Sequence, residues 1–258
     1  MPEQEVSYCS EDGTPLSATW QAAAGKLAVL LAHGITGERE EGGLFAELAA
    51  RLAGRGISSL RFDYRAHGRS GGTQEQMTIA GETSDVRAGA AWLRAQGYAP
   101  AAIVAASFGA VSACEYVGGD AEVRCLVLLN PVLDLLKTFL EPVCPWPRAS
   151  FNAPGFAHLE RHGFLWLDGH FKIGRALVEE MRRAAPGERL KGLDIPVLTL
   201  HGDADGCVPY EVARELGAPN PRSRFVTVPG ADHGFGRPHE REQVVQAALD
   251  WLLANLSN

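Results

Sequence analysis

Short apolar runs alternate with stretches of helical periodicity along most of this chain. The apolar runs are bounded by turn-forming residues and predict β-strands at residues 6–9, 16–20, 27–32, 57–62, 101–106, 123–129, 197–200 and 225–228. Apolar residues at helical spacing predict helices at residues 44–52, 79–95, 108–117 and 244–253. Because strands and helices alternate, we predict an α/β fold with a mostly parallel central sheet and helices on both faces.

Four polar motifs follow predicted strands. Ser107 lies where the strand at 101–106 turns into a helix, in the run Ala-Ala-Ser-Phe-Gly, which is similar to the G-x-S-x-G motif of serine hydrolases. Residues 33–37 read His-Gly-Ile-Thr-Gly, and Asp205 and His233 each come shortly after a later strand. The pentapeptide alone would also fit a serine that only N-caps a helix. The order Ser, Asp, His, with each residue at a strand end, favours a catalytic triad.

These residue types suit nucleophilic catalysis. A serine hydroxyl attacks a carbonyl group only when a neighbouring base takes its proton, and we assign that base to His233. Asp205 would orient the imidazole ring and stabilise its charged form. The backbone N–H of Phe108, at the start of a helix, would donate to the oxyanion. Asp203 competes with Asp205 for the acid position, although the spacing favours Asp205.

Other histidines and aspartates near strand ends receive structural roles. We expect hydrogen-bonding or loop-ordering roles for His33, His67 and His201, and turn or loop roles for Asp63 and Asp232. None of these residues forms a cluster with metal-ligand spacing along the sequence, so no metal and no other cofactor is expected.

On these motifs the chain resembles the α/β-hydrolase superfamily, and within it the bacterial cinnamoyl (feruloyl) esterases. The likeness covers roughly residues 27–130 and 190–255 and includes the run at 60–70 and the pair at 77–78. It implies that the backbone N–H of Ile35 is the second oxyanion donor. Ala105 and Ala110 stand where the family usually has glycine, and Phe108 stands where a polar residue often follows the nucleophile.

Residues 132–187, here called the inserted segment, match that family poorly and interrupt the alternation of strands and helices. They hold prolines, among them those at 142, 145, 147 and 154, and large aromatic residues that include Trp146, Phe151, Phe156, Phe164, Trp166 and Phe171. We interpret them as a cap over the active site, inserted into a single domain that spans residues 1–258. One or two of these aromatic residues are expected to line the pocket, and Phe108 is expected to make the acyl pocket more apolar.

Composition excludes several classes of protein. The 258 residues are 46% apolar and 21% charged, with a net charge of −7 and no run of Lys and Arg, so nucleic-acid binding is not expected. No apolar run reaches the length of a membrane span, and the acidic start lacks the apolar core of a signal peptide. The five scattered cysteines favour reduced thiols and a cytoplasmic location.

The sequence therefore predicts a serine hydrolase that cleaves small carboxylic esters, short-to-medium acyl or aryl-acyl, through an acyl-enzyme. Its predicted partner is a small-molecule ester. No nucleic-acid or membrane partner is expected, and the sequence does not decide between a monomer and a homodimer. An acyl thioesterase or a small peptidase or amidase would use the same triad. A non-catalytic binding protein of this fold is a further alternative.

Overall fold

The computed structural model describes residues 3–256, so the first two and last two residues of the predicted domain lie outside the described residues. Its strands are β1 (Glu3–Cys9), β2 (Pro15–Gln21), β3 (Leu27–Ala32), β4 (Ser58–Phe62), β5 (Ala99–Ala106), β6 (Cys125–Leu129), β7 (Phe164–Leu167), β8 (Phe171–Gly174), β9 (Val197–Gly202) and β10 (Arg224–Val228). Its α-helices are α1 (Leu44–Ala53), α2 (Ile79–Ala95), α3 (Gly109–Val117), α4 (Pro145–Arg148), α5 (Ala153–His162), α6 (Arg175–Met181), α7 (Pro186–Lys191), α8 (Tyr210–Leu216) and α9 (Pro238–Leu256).

Eight of these strands form one sheet in the order β1-β2-β4-β3-β5-β6-β9-β10. The strands from β4 to β10 in that order run parallel, whereas β1 and β2 pair antiparallel with each other and β2 pairs antiparallel with β4. The predicted α/β fold with a mostly parallel sheet is confirmed. The carboxyl ends of its parallel strands lie along the same side of the sheet. The loops after β3, β5, β6, β9 and β10 therefore meet there.

Helices cover both faces of the sheet, which explains why the central strands are apolar without interruption. In β3, Val29 and Leu31 face a core shared with α1 and α9. Leu30 faces the opposite core, shared with α2 and α3. This alternation places every residue of the strand after Leu27 in a buried layer.

The inserted segment contains more regular structure than its sequence pattern indicated. It holds α4, α5, an antiparallel hairpin of β7 and β8, and α6, which begins directly after β8. Its apolar residues, among them Phe139 and Phe151, form a third core with Ile35 and Phe108. The segment therefore packs on the loops at the carboxyl edge of the sheet. Among residues 3–256, no helix is both long and apolar enough to cross a membrane.

Candidate active site

Ser107 follows the last residue of β5, in a sharp turn between that strand and α3. Its φ angle is +50°, which is the left-handed region that a non-glycine residue rarely adopts. The turn is fixed because the Ser107 N–H donates to the carbonyl oxygen of Leu129 at 2.8 Å. Strain of this kind persists where the surrounding structure over-determines it, and it is concentrated at functional sites.

Gly109 explains how closely α3 can approach the neighbouring strand. A Cβ atom at this position would lie 2.4 Å from the carbonyl oxygen of His33 and 2.7 Å from that of Ala32. These contacts are with backbone, so no side chain could move aside. Ala105, the departure from the usual glycine before the serine, is fully buried within β5. The turn thus requires glycine after the serine but accepts a methyl group before it.

The structure brings Ser107, His233 and Asp205 into one hydrogen-bonded chain. The Ser107 hydroxyl lies 3.0 Å from His233 Nε2, and His233 Nδ1 lies 2.7 Å from Asp205 Oδ2. With the proton on Nδ1, the imidazole donates to the carboxylate and accepts from the serine. This is the geometry that a serine nucleophile, its base and an orienting acid need.

Asp205 is held in its ionised form. Burial opposes ionisation, but polar contacts from His201 and His233 outweigh it and keep the pKa of Asp205 well below its ordinary value. The carboxylate also accepts hydrogen bonds from the backbone N–H groups of Cys207 at 2.7 Å and Val208 at 3.0 Å. His201, for which a structural role was expected, lies with Nε2 3.3 Å from Asp205 Oδ2.

His233 has its pKa raised above the ordinary value for histidine. Burial disfavours the imidazolium, but the hydrogen bond and charge of Asp205 outweigh that effect. Glu41 and Asp232 add smaller contributions of the same sign. A raised pKa makes the imidazole a stronger base, provided that the pH keeps it neutral.

Two backbone N–H groups fit the predicted oxyanion donors. Phe108 directly precedes α3, and Ile35 lies in the loop after β3. Within residues 3–256, neither N–H group has a hydrogen-bond acceptor. The aromatic ring of Phe108 is fully buried, with its centroid 5.9 Å from that of Phe139. Phe108 therefore contributes packing beneath the site, and its main chain stays available to a ligand.

The other histidines near the sheet edge have structural contacts. His33 Nε2 accepts from the backbone N–H of Tyr64 at 3.0 Å. His67 contacts the carbonyl oxygen of Ile35 through Nε2 at 2.5 Å and that of Arg65 through Nδ1 at 2.9 Å. His67 thus orders the loop that carries one of the predicted oxyanion donors.

The competing aspartates are engaged elsewhere. Asp203 accepts from the backbone N–H of Gly230 at 2.5 Å, and Asp232 accepts from Gly234 at 3.0 Å. Asp63 accepts from the backbone N–H of Arg39 at 2.8 Å. The loop and turn roles expected for Asp63 and Asp232 match these contacts, and Asp205 is the aspartate that meets His233.

Asn130 contacts the site but was missed by the sequence argument. It follows β6, has a φ angle of +43° and donates through Nδ2 to the carbonyl oxygen of His233 at 2.7 Å. Its Oδ1 accepts from the N–H of Gly202 at 2.9 Å. Asn130 therefore joins the His233 loop to the end of β9. Its position directly after an apolar strand was the signal that could have identified it.

One group of side chains in the described residues could hold a metal ion. Asp205, Cys207 and His233 each bring a ligand atom within 4.8 Å of the others. The sequence spacing did not reveal this cluster, because the residues meet only through the fold. Asp205 and His233 already hydrogen-bond each other here, so an ion bound at these atoms would compete with the triad geometry.

More than half of the chain matches a known family of hydrolases. The model of the family described as serine aminopeptidase, S33 (Hydrolase_4) matches residues 23–158, more than half of the chain. The chain belongs to this family of α/β hydrolases. An uncharacterized Mycobacterium tuberculosis protein, Rv2307c, is 31% identical over 208 residues, which are 80% of this chain. The matched region spans 62% of that protein's length.

Solved structures share the fold over the whole chain. Est1E from Butyrivibrio proteoclasticus, determined with ferulic acid bound, has a TM-score of 0.79 at 21% identity and covers 99% of this chain and 100% of its own. A putative hydrolase from Agrobacterium vitis has a TM-score of 0.77 at 22% identity, covering 96% and 98%. The expected resemblance to α/β-hydrolase esterases is confirmed at the level of fold.

Proposed function

We propose that this α/β hydrolase is a serine esterase acting on small carboxylic esters. The observation that carries the proposal is the hydrogen-bonded chain from Ser107 through His233 to Asp205, with the serine held at positive φ. His233 takes the hydroxyl proton as Ser107 Oγ attacks the ester carbonyl, and then gives it to the leaving alcohol. Water releases the acid from the acyl-enzyme by the same steps.

Apolar packing around the site supports a short or aromatic acyl group. The inserted segment surrounds the oxyanion loops with apolar residues such as Phe139 and Phe151. We therefore propose short-to-medium acyl or aryl-acyl esters, with weak discrimination between neighbouring chain lengths, as is usual for apolar sites.

A hydrolysis panel tests the proposal. It measures kcat/KM for p-nitrophenyl acetate, butyrate, octanoate and palmitate, for methyl ferulate, for an acyl-CoA and for an aminoacyl anilide. Ser107→Ala is the matched control for background hydrolysis. We expect the maximum at a short-to-medium or aryl-acyl ester. A maximum at palmitate, or activity confined to the thioester or the anilide, would reject the ester proposal in favour of the corresponding alternative.

A further inference from the structure

Glu41 lies in an unusual backbone conformation beside the triad. Its φ angle is +46°, and Gly42 and Gly43 continue the left-handed turn with φ angles of +60° and +89°. Glutamate gains nothing from this region by itself, so the surrounding contacts must hold it there. Glu41, together with Ser107 and His233, lines a cavity of about 20 Å³.

The carboxylate of Glu41 contacts the loop after β3. Its Oε2 accepts a hydrogen bond from the backbone N–H of Gly34 at 2.9 Å. A Cβ atom at Gly34 would lie 3.0 Å from Ser107 Cβ, so this loop already packs against the nucleophile. Any shift of the Gly34 backbone would therefore change the relation between the loop and Ser107.

Hydrogen bonds hold the loop on both sides of the Gly34–Ile35 peptide group. Glu41 binds the N–H of the preceding peptide group, at Gly34, and His67 contacts the carbonyl oxygen of the following one, at Ile35. The N–H between these two anchors is that of Ile35, which no residue within 3–256 accepts. The carbonyl oxygen of the same peptide group, at Gly34, accepts from the Gly37 N–H at 3.0 Å and contacts His33 Nδ1 at 2.8 Å. The direction of the Ile35 N–H is therefore set by these contacts together with the two anchors, and Glu41 is the one of them whose side chain also lines the cavity beside Ser107.

We propose that Glu41 is a positioning residue, whose hydrogen bond to Gly34 helps to aim the Ile35 N–H at the oxyanion that forms on the substrate's carbonyl oxygen when Ser107 Oγ adds to the carbonyl carbon. This inference rests on the proposed function, because it requires an oxyanion at this place. Loss of the anchor displaces one of two donors. Such donors are effective because they are preorganised, and misplacement by about 1 Å can cost about 100-fold in rate.

Two substitutions distinguish the effect of the Glu41 hydrogen bond to Gly34 from the effect of the Glu41 charge. Glu41→Gln keeps the length of the side chain and a carbonyl oxygen for Gly34, but removes the charge. Glu41→Asp keeps the charge but is one methylene too short to reach, and aspartate tolerates the left-handed region well. Glu38→Gln is the matched control, since Glu38 is an exposed carboxylate of the same loop that makes no hydrogen bond to Gly34.

The readout is the second-order rate at which a fluorophosphonate phosphonylates Ser107, measured by mass spectrometry. In this reaction Ser107 Oγ forms a bond to phosphorus, fluoride leaves, and His233 takes the hydroxyl proton. The labelling rate therefore does not depend on which ester the protein prefers. We expect Glu41→Asp to react about 10- to 100-fold more slowly than wild type. Glu41→Gln should recover most of the rate, and Glu38→Gln should match wild type.

Two results would overturn the positioning role: Glu41→Asp reacting at the wild-type rate, or Glu41→Gln reacting as slowly as Glu41→Asp. Thermal unfolding of each variant checks that the fold is intact. If wild-type Ser107 is labelled but no ester is hydrolysed, the proposed function fails while the test of Glu41 still stands. A wild-type protein that is not labelled at Ser107 would overturn both.

Discussion

The geometry of the strand-to-helix turn allows the effect of one substitution, Gly109→Ala, to be worked out in detail. The added Cβ would lie 2.4 Å from the His33 carbonyl oxygen and 2.7 Å from that of Ala32. Since carbon–oxygen contacts in proteins rarely fall below about 3.3 Å, α3 and its N-terminus must move by about 1 Å. The movement would carry Ser107 and the Phe108 N–H away from the catalytic geometry.

A displacement of this size predicts a loss of about 100-fold in kcat/KM for a p-nitrophenyl ester. Overpacking costs about 1–3 kcal/mol, which corresponds to a fall of roughly 2–12 °C in Tm for a chain of this length. The assay compares steady-state hydrolysis with thermal unfolding followed by circular dichroism. Ala105→Gly is the control, because it changes one methyl group on the other side of Ser107 without creating a clash.

If α3 approaches Ala32 and His33 as closely as the structure shows, the loss of kcat/KM and the fall in Tm must appear together in Gly109→Ala. A folded Gly109→Ala variant with kcat/KM within about threefold of wild type would refute the argument, because the site would then tolerate the shift. Equal losses in Gly109→Ala and Ala105→Gly would also refute it, since the clash with the carbonyl oxygens of Ala32 and His33 arises from the Cβ atom added at Gly109.

Three further predictions follow from the triad and its supports. Ser107→Ala should keep its Tm and lose at least about 10³-fold in ester hydrolysis, and Asp205→Asn should be similarly severe while Asp203→Asn is mild; the reverse order would move the acid to Asp203. The rate kcat/KM should rise with pH, because the base must be neutral, and its midpoint should lie above the ordinary histidine value of about 6.5, since the pKa of His233 is raised. A flat profile between about pH 5 and 9, with chemistry limiting the rate, would exclude a histidine base. Asn130→Asp, which loses the donor to the His233 carbonyl but keeps the acceptor for Gly202, should lower kcat/KM roughly 10-fold; an unchanged rate would show that the loop does not need this contact.

The sheet and the meeting of Ser107, Asp205 and His233 could be predicted from the sequence because both depend on strong local signals. Buried parallel strands are continuous apolar runs, and residues after such strands must converge at one edge. Glu41 was not predicted, because its contact with Gly34 depends on a left-handed turn in a loop. Asn130 was missed because its partners, the His233 carbonyl oxygen and the Gly202 N–H, are backbone groups that no residue type marks in a sequence.

The helices and strands of the inserted segment could not be predicted from the sequence. Strand β7 and helix α4 have four residues each, so no hydrophobic period could develop before they ended. Helix α5 has ten residues, but Leu159 is the only one of them that is buried, so it shows no apolar stripe. Helix α8, with seven residues, was missed for the same reason as β7 and α4. The packing of these elements depends on the third core, which the chain forms only when the segment meets Ile35 and Phe108.

Strand β10 lies at the end of the sheet and pairs only with β9, yet the loop that follows it carries the base. Most of its residues keep some exposure to solvent, unlike the fully buried β6. Local opening costs less free energy at sparsely packed positions than in the core, so we expect the loop with His233 to separate from Ser107 while the central strands stay paired. We therefore expect hydrolysis to be lost at a lower temperature than the one at which the whole chain unfolds.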